Sequence, residues 1–435
     1  MDKVTLLPHQ IAVMKQTAGF DNVADYVDMG GGKTFIGSEQ MKRYGCTVNL
    51  IICQKSKIED WIEHFKKYYA YVPRFVYDLT NKKQFADFLE HVSQAIDHST
   101  ECCFGVINYE LAYRRPELAK LDHFTLMLDE SSMIQNERAK RSKFVLQLHP
   151  EHVILLSGTP TAGKYERLWS QVRLLGWNIK KPTYYSQFVV QDFIDVDGSG
   201  FKIPVVIGYK NVDRLKRKLA EHGAVFMKAE EFGVDLPDMN EITVRVKTPA
   251  VYKRFMKDRV AWVEGKQLVG DTTLTMRMYA RQICGQYNQS KLDAVRDLIE
   301  STDDRIIIFY NFNDELNKLL NIVEQLNRPV AVVNGEKKDL EPFVKYSDSV
   351  ALIQYQAGAM GLNLQVANKV IYFTLPDRSE LFEQSKARIH RIGQHRPCFY
   401  YYLMCPGTVE TKVLETLKMR KDYTDALFKK DIQEN

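Results

Sequence analysis

The sequence lacks several features that would place it in particular protein classes. No apolar run is long enough to cross a membrane. We expect no signal peptide, because the chain reaches Pro8 and a helical pattern immediately after its first residues. The seven cysteines are scattered, and none stands in Cys-x-x-Cys spacing. We therefore expect reduced thiols, a cytoplasmic location, no membrane association and no structural zinc. No short-period repeat is present, which argues against a repeat architecture.

The composition is that of a folded protein with ordinary hydrophobic cores. The chain has 435 residues, of which 45% are hydrophobic and 26% are charged. This length predicts two or three domains. The formal net charge of +5 is mildly basic. Such a balance is compatible with nucleic-acid binding but does not establish it.

Short apolar segments alternate with helical patterns in both halves of the chain. Continuous apolar strands separated by helices are typical of parallel sheets that are covered on both faces. The sequence therefore predicts an α/β protein with two parallel sheets. The predicted strands are residues 48–53, 104–109, 124–128 and 152–156 in the first half, and 305–310, 330–333, 350–355, 369–373 and 399–404 in the second.

Two arginines stand three residues apart near the C-terminus, in Gln384-Ser-Lys-Ala-Arg388-Ile-His-Arg391-Ile-Gly-Gln394. In a helix, this spacing would place both guanidinium groups on one face. Arginine keeps its charge at any working pH, and its planar fork matches phosphate oxygens. The pair is a candidate for arginine fingers that act on a nucleotide, and the alternative is a solvated basic turn.

A glycine-rich segment near the N-terminus, Gly30-Gly31-Gly32-Lys33-Thr34, has the ending of a phosphate-binding loop. Glycines allow backbone N–H groups to surround phosphate oxygens, while the lysine contacts the β- and γ-phosphates and the threonine hydroxyl binds Mg²⁺. The usual motif begins with glycine, where this chain has Val27. The alternative is a glycine-rich turn before a helix.

An apolar segment ends in two carboxylates at Asp129 and Glu130. A buried strand that delivers acids to the edge of a parallel sheet places them where ligands bind in open α/β folds. Asp129 would hold Mg²⁺, and Glu130 would position and deprotonate the attacking water. The alternative is that the acids cap the N-terminus of a helix.

Taken in order, these segments resemble the motifs of superfamily 2 helicase-like ATPases, and among them the Swi/Snf branch of DNA translocases. The resemblance extends from Leu6 to about Thr411. It implies two RecA-like lobes of the P-loop NTPase fold, with ATP bound between them. The segments similar to family motifs are Leu6-Leu-Pro-His-Gln10, Gly30 to Thr34, Asp129 to Asn136, Leu155-Leu-Ser157-Gly158-Thr159-Pro160, Gln356 to Leu364 and Arg388 to Gln394.

The resemblance also implies roles for individual residues. Gln10 would read adenine, and Gly361 and Gln384 would contact the nucleotide. The segment from Ser157 to Pro160 would couple the nucleotide site to DNA movement. Three positions depart from the family pattern. Ser131 and Ser132 replace the more common Ala-His, and Gln135 stands where the family usually has lysine.

We expect three segments: an ATP-binding lobe at residues 1–165, an insertion at 166–290 and a helicase lobe at 291–435. Within the insertion, residues 191–208 predict a β-hairpin with an Asp-Gly-Ser-Gly turn. Residues 212–221 and 250–269 predict helices. Basic residues are frequent here and would contact DNA phosphates, although solvated helix faces are the alternative for each. They are Lys210, Arg214, Lys216, Arg217, Lys218, Arg245, Lys247, Lys253, Arg254, Lys257 and Arg259.

For two aromatic features of the sequence, a structural role is favoured over a functional one. Trp61 lies among apolar residues at helical spacing, which predicts core packing. Tyr400, Tyr401 and Tyr402 predict a strand with alternating faces, and base stacking is the weaker alternative.

The function that the resemblance implies is an ATP- and Mg²⁺-dependent motor that moves on mainly duplex DNA without sequence preference. Alternatives are a strand-separating or branch-remodelling helicase and, in another class, an ATP-gated clamp on DNA or protein. We expect a monomer from a bacterium or a phage-infected host. Replication or recombination proteins are the expected partners.

Overall fold

The computed structural model describes residues 4–69, 74–95, 102–161, 163–195, 202–233, 236–358, 362 and 364–428. The chain divides into two compact units. The first comprises Met1–Val234 with the end of the chain from Asp422, and the second is Asp235–Lys421. Within the described ranges, no helix combines the length and apolar character that crossing a lipid bilayer requires.

The first unit is built on a seven-stranded parallel sheet in the order β3-β4-β2-β5-β6-β1-β9. The central strands are apolar along their whole length because helices cover both faces. Its strands and those of a separate antiparallel hairpin, β7 with β8, are β1 (Asn22–Val27), β2 (Val48–Cys53), β3 (Arg74–Asp78), β4 (Cys102–Asn108), β5 (Phe124–Asp129), β6 (His152–Leu156), β7 (Val189–Asp195), β8 (Lys202–Tyr209) and β9 (Ala224–Met227).

Helices connect consecutive strands of this sheet, as parallel pairing requires. Two hydrophobic clusters, one on each face of the sheet, form the core of the unit. The helices are α1 (Pro8–Gln16), α2 (Lys33–Tyr44), α3 (Ile58–Tyr68), α4 (Lys82–Ala95), α5 (Tyr109–Ala112), α6 (Lys140–Val145), α7 (Trp169–Leu174), α8 (Lys181–Phe188) and α9 (Val212–Ala220).

The second unit contains another seven-stranded sheet, in the order β10-β18-β17-β13-β16-β14-β15, in which all pairs are parallel except β14 with β15. A small antiparallel hairpin, β11 with β12, lies outside the sheet. The strands are β10 (Met239–Arg245), β11 (Val260–Val263), β12 (Lys266–Val269), β13 (Ile306–Tyr310), β14 (Val330–Val333), β15 (Lys338–Asp339), β16 (Val350–Gln354), β17 (Lys369–Tyr372) and β18 (Cys398–Met404).

The helices of the second unit also alternate with its strands. A buried ion pair between Lys291 and Glu410 joins two of them, α12 and α17 in the list that follows. The helices are α10 (Ala250–Asp258), α11 (Thr273–Cys284), α12 (Gln289–Glu300), α13 (Asn313–Gln325), α14 (Glu341–Lys345), α15 (Tyr355–Gly358), α16 (Ser379–Lys386) and α17 (Val409–Phe428).

The two parallel sheets confirm the predicted α/β fold. The strands of the hairpin at 191–208 are present, while the predicted turn at 197–200 lies outside the described residues. Tyr400 and Tyr402 are buried on β18 and Tyr401 is half-buried, as the alternation predicts. The three-segment division stays a prediction. The structure groups residues up to 233 with the first sheet and residues 236–421 with the second.

The prediction of one helix over residues 250–269 is wrong in its second half. Helix α10 ends at Asp258, where Arg259 adopts a left-handed conformation with φ of 61°. The residues that follow form the β11–β12 hairpin, with Glu264 and Gly265 at positive φ in its turn. The alternation that buries Ala261 and Leu268 has the period of a strand, and apolar content alone did not distinguish it from a helix.

Candidate active site

The glycine-rich turn joins β1 to α2. Gly30 and Gly32 have φ of 86° and 70°, and Gly32 precedes the first residue of α2. Glycine adopts this left-handed region without steric cost. A Cβ at Gly32 would also lie 2.2 Å from Nε2 of Gln10. The sequence therefore folds here into the tight turn that a phosphate-binding loop needs.

Val27, which stands where the usual motif has glycine, packs directly over this turn. Its side chain is fully buried, and a Cβ at Gly31 would lie 2.5 Å from Cγ1 of Val27 and 2.7 Å from Cζ of Phe232. The absence of a side chain at Gly31 thus provides the space that Val27 fills. The departure from the motif is accommodated without opening the turn.

Lys33 begins α2 and directs its ammonium group back towards the end of β1. Its Nζ donates to the carbonyl oxygen of Val27 at 2.8 Å and to that of Asp28 at 3.3 Å. Burial lowers the pKa of Lys33, and the carboxylates of Glu130, Asp28 and Asp129 oppose this effect. The ammonium group therefore lies close to half-buried carboxylates and backbone carbonyls, at the turn where a phosphate-binding loop would hold phosphate oxygens.

The first helix lies against the same turn. Nε2 of His9 is 2.9 Å from the carbonyl oxygen of Gly31, and the His9 ring stacks on Phe232 with centroids 4.5 Å apart. Nε2 of Gln10 donates to the Gly31 carbonyl at 3.3 Å. Oε1 of Gln10 accepts from the backbone N–H of Leu7 at 2.8 Å. The structure thus brings Gln10 to the phosphate-loop candidate, as expected for one site.

The two predicted acids stand at the carboxyl end of β5. Asp129 is the last residue of the strand, and Glu130 follows with φ of 54° in the left-handed region. A non-glycine residue in this region is strained. The hydroxyl of Tyr109 donates to the carbonyl oxygen of Asp129 at 3.0 Å. Glu130 occupies the capping position before a 3₁₀ turn, but its side chain does not cap that turn.

Trp61 contacts the acidic pair, which its sequence context did not predict. The residue is 2% exposed in α3, as core packing requires, and its Nε1 donates to Oδ2 of Asp129 at 2.9 Å. The indole therefore fixes one carboxylate oxygen of a proposed metal ligand. The Trp61 side chain carries an N–H donor on the mainly apolar buried face of α3, and such a donor needs a partner when it is buried.

The Ser157-Gly-Thr-Pro segment follows β6 and lies beside Lys33. A Cβ at Gly158 would lie 3.3 Å from Nζ of Lys33 and 3.2 Å from Cγ of Met29. A side chain at this position would press on the ends of Lys33 and Met29, and each would have to move by a few tenths of an ångström. Oγ of Ser157 accepts from the backbone N–H of Thr159 at 3.1 Å. The structure therefore brings three separate sequence segments to one edge of the first sheet.

In the second unit, Arg388 and Arg391 lie outside a helix, so the condition for a shared helix face is not met. Helix α16 ends at Lys386, and the chain continues through turns to Gly393, which has φ of 95°. The buried side chain of Ile389 and the side chain of Gln394 determine this path. Nε2 of Gln394 donates to the carbonyl oxygens of Gln365 and Ala367 at 3.0 and 2.8 Å.

Arg391 and Gln384 are less exposed than residues of a solvated surface turn would be. Arg391 is half-buried, and burial lowers the pKa of its guanidinium group. Gln384 is 7% exposed in α16. Nε2 of His390, between the arginines, is 2.9 Å from the carbonyl oxygen of Pro237. The predicted contact Gly361 lies outside the described residues.

The residues of the first unit fit a magnesium ion chemically. Thr34 is the second residue of α2 and offers a hydroxyl oxygen, and Asp129 offers a carboxylate oriented by Trp61. Mg²⁺ prefers such oxygen ligands together with water and substrate phosphates. We therefore retain Thr34 and Asp129 as the candidate metal ligands.

Comparison with known proteins identifies two domains along the chain. A sequence model of the SNF2-related domain matches residues 11–289, and a model of the helicase conserved C-terminal domain matches residues 290–393. The two matched ranges together include every proposed site residue except Gln10.

Curated relatives match nearly the whole chain at low identity. The uncharacterized ATP-dependent helicase YqhH of Bacillus subtilis is 23% identical over 95% of this chain and 78% of its own length. The SWI/SNF-related matrix-associated actin-dependent regulator of chromatin subfamily A member 1 of Mus musculus is 23% identical over 91% of this chain and 40% of its own length. The chain spans less than half the length of several relatives, 46% and 34% in two other cases.

Among solved structures, the chain is similar to the Sulfolobus solfataricus SWI2/SNF2 ATPase core in complex with dsDNA. The sequences are 23% identical, the TM-score is 0.43, and the match covers 97% of this chain and 93% of the other.

Proposed function

Because the chain belongs to the SNF2-related family of helicase-like ATPases, we propose that it hydrolyses ATP and uses the energy to translocate along DNA, mainly duplex DNA. The family is defined by the match over residues 11–289, which is more than half of the chain. Movement on the duplex, as opposed to strand separation, rests on the resemblance to the Swi/Snf branch.

The observation that supports ATP hydrolysis best is the environment of Lys33. Its ammonium group donates to two backbone carbonyls at the glycine-rich turn and is close to carboxylates that include Asp129 and Glu130. A phosphate group that enters this turn would replace neutral carbonyl acceptors with charged oxygens. Charge-assisted hydrogen bonds of that kind are roughly twice as strong as neutral ones.

In the proposed reaction, Lys33 and the N–H groups of the glycine-rich turn bind the β- and γ-phosphates. The start of α2 favours negative charge because its first N–H groups and its dipole point towards the loop. Glu130 orients the attacking water and accepts its proton. Gln10 contacts the adenine ring. Gly158 allows the Ser157-Gly-Thr-Pro segment to respond to the γ-phosphate next to Lys33.

Thr34 and Asp129 would hold Mg²⁺, which neutralises phosphate charge when it is bound. Trp61 keeps Oδ2 of Asp129 in one orientation through its indole N–H. A ligand carboxylate that is already oriented loses less conformational freedom when the metal binds.

Residues of the second unit complete the proposal. Arg388 and Arg391 would stabilise the charge that develops on the transferred phosphoryl group. Gly361 and Gln384 are proposed as further contacts to the nucleotide. Half-burial of Arg391 supports this role because a desolvated guanidinium interacts more strongly with phosphate than a solvated one.

DNA is the proposed track because the family match and the exposed basic residues favour it. Helix α10 exposes Lys253, Arg254 and Lys257 on its surface. Binding to phosphates needs positive charge and no base-specific contact, so the affinity should fall steeply with salt. Monomeric action, a cytoplasmic location and partners from replication or recombination stay predictions.

The test compares ATP hydrolysis with duplex, single-stranded and forked DNA and with RNA, beside triplex-displacement and forked-duplex unwinding assays. Lys33→Ala is the control, and it should lose hydrolysis in every condition. We expect duplex DNA to stimulate hydrolysis and to support triplex displacement. Unwinding without triplex displacement would instead indicate a strand-separating helicase. ATP-dependent DNA affinity without DNA-stimulated hydrolysis would indicate a clamp.

A further inference from the structure

Gln171 is a fully buried residue of α7 that lies outside every recognised motif. Its side chain makes three hydrogen bonds to three different segments. Oε1 accepts from the hydroxyl of Ser131 at 2.8 Å and from that of Tyr26 at 3.0 Å, and Nε2 donates to the carbonyl oxygen of Pro160 at 2.9 Å.

The orientation of this amide is determined by its partners. The carbonyl oxygen of Pro160 can only accept, so the atom that faces it must be Nε2 of Gln171. The other side of the amide faces two hydroxyl groups, which can donate to Oε1. All four residues are buried in the first unit. Leaving one of these polar groups without its partner would therefore be costly.

The bonds of Gln171 connect the two segments whose positions matter for hydrolysis. Ser131 directly follows the strained Glu130, and Pro160 ends the segment in which Gly158 lies beside Lys33. A second hydrogen bond holds the acidic loop. That bond anchors the acidic loop to the residues just before α7, where Nη1 of Arg167 donates to Oε1 of Gln135 at 2.7 Å.

Ser131 and Gln135 are two of the three departures from the family pattern. Alanine at 131 would have no hydroxyl to donate to Gln171, and lysine at 135 would repel Arg167 instead of accepting from it. Both departures thus supply an atom that a hydrogen bond in this chain requires. They occur in the loop that also carries Ser132 in place of a protonatable histidine.

From this geometry we propose that Gln171 is a positioning residue that transmits the nucleotide state from Glu130 to the Ser157-Gly-Thr-Pro segment. This inference rests on the proposed ATP site. The Arg167–Gln135 bond holds the same loop at a second point. A shift of Glu130 when nucleotide binds displaces Ser131, and the Gln171 amide passes that displacement to the Pro160 carbonyl.

The experiment measures amide hydrogen exchange in a peptide that covers residues 155–161, in the full chain with and without saturating Mg²⁺–ATPγS. Gln171→Met keeps the volume and removes all three bonds, while Ser131→Ala removes only the bond to the acidic loop. Tyr26→Phe is the matched control because it removes the other hydrogen bond to Oε1 of Gln171 and leaves the bonds to Ser131 and Pro160, the two ends of the link.

We expect nucleotide to slow exchange in the wild-type peptide about tenfold, the size of one buried hydrogen bond. Gln171→Met and Ser131→Ala should abolish most of this difference, and Tyr26→Phe should retain it. A double variant that combines Gln171→Met with Ser131→Ala should hydrolyse ATP no more slowly in steady state than Gln171→Met alone. Both substitutions interrupt the same link, so their effects should not add.

The proposal is overturned if exchange responds to nucleotide equally in the wild type and Ser131→Ala, if it does not respond in the wild type, or if Tyr26→Phe loses the response too. The proposal would also be contradicted if the losses in kcat of Gln171→Met and Ser131→Ala added up in the double variant. If DNA fails to stimulate hydrolysis while the exchange pattern is as expected, the proposed DNA motor is wrong and the role of Gln171 stands.

Discussion

The indole N–H of Trp61 donates to Oδ2 of Asp129 at 2.9 Å, across 68 residues of sequence. This bond joins α3 to the carboxyl end of β5, where the proposed metal ligand lies. A core tryptophan thereby also supports a residue of the candidate active site.

Trp61→Phe should weaken the binding of Mn²⁺–ADP about tenfold or more. The change retains most of the packing and removes the hydrogen bond that orients the carboxylate, and loss of such a supporting partner typically costs about 10- to 100-fold in metal affinity. Electron paramagnetic resonance of Mn²⁺ measures this affinity without turnover. Trp177→Phe is the control, since Trp177 lies in the same unit and packs against Tyr184 and Phe188. Equal affinities in the two variants would contradict a role of the indole N–H.

Gly31→Ala should destabilise the first unit by about 1–3 kcal/mol, the usual cost of overpacking. The new Cβ would lie 2.5 Å from Cγ1 of Val27 and 2.7 Å from Cζ of Phe232. Adding Val27→Ala should recover part of the loss in a thermal or urea unfolding measurement. Gly208→Ala is the control because nothing lies within 4 Å of a Cβ built there. If the double variant is as unstable as Gly31→Ala, the explanation of the Val27 departure is incorrect.

Asp25→Asn should change how stability depends on pH. Burial raises the pKa of the Asp25 carboxyl to about 7, against the opposing hydrogen bond from Gln40. Between about pH 4 and 7, the unfolded chain loses this proton while the folded protein keeps it, so the stability of the wild type falls as pH rises. Asparagine does not titrate. The free energy of unfolding of the variant relative to wild type should therefore rise over this window, by up to about 4 kcal/mol.

The difference in the free energy of unfolding between Asp25→Asn and wild type separates the effect of Asp25 from that of His64, which acts in the opposite direction. Burial lowers the pKa of His64 to about 4, which destabilises the folded state as pH falls from about 6.5 to 4. Both proteins contain His64, so its contribution cancels. Urea unfolding at several pH values gives the difference directly. A difference that is independent of pH would show that Asp25 is ionised in the folded state throughout.

Arg391→Ala should leave ATP binding nearly intact and slow hydrolysis by about 10³-fold, on the scale of arginine fingers. Arg396→Ala is the matched control. Arg396 is exposed on the same segment, and its Nη1 donates to Asp304 at 3.0 Å. Fluorescent-nucleotide binding and single-turnover hydrolysis separate the two steps. Slowing of similar size in both variants would assign Arg391 a structural role.

The sequence by itself determined the class of fold and most of the strands, because continuous apolar segments are buried wherever they lie in an α/β sheet. It also identified Lys33, Asp129 and Glu130 as site candidates. A glycine-rich turn and the end of a strand are both local features, which a short segment of sequence is enough to indicate. Strand β3 and strand β10 were not predicted. Their residues mix polar and apolar side chains at sheet positions where pairing with a neighbour decides the structure.

Only the tertiary structure decided which residues support the site. Trp61 and Gln171 contact the acidic loop from 68 and 40 residues away, and neither distance can be read from a local pattern. The turn that carries Arg388 and Arg391 depends on Gln394, whose side chain donates to the carbonyl oxygens of Gln365 and Ala367. Hydrogen bonds between distant segments need both partners in place, so the fold must exist before these contacts do.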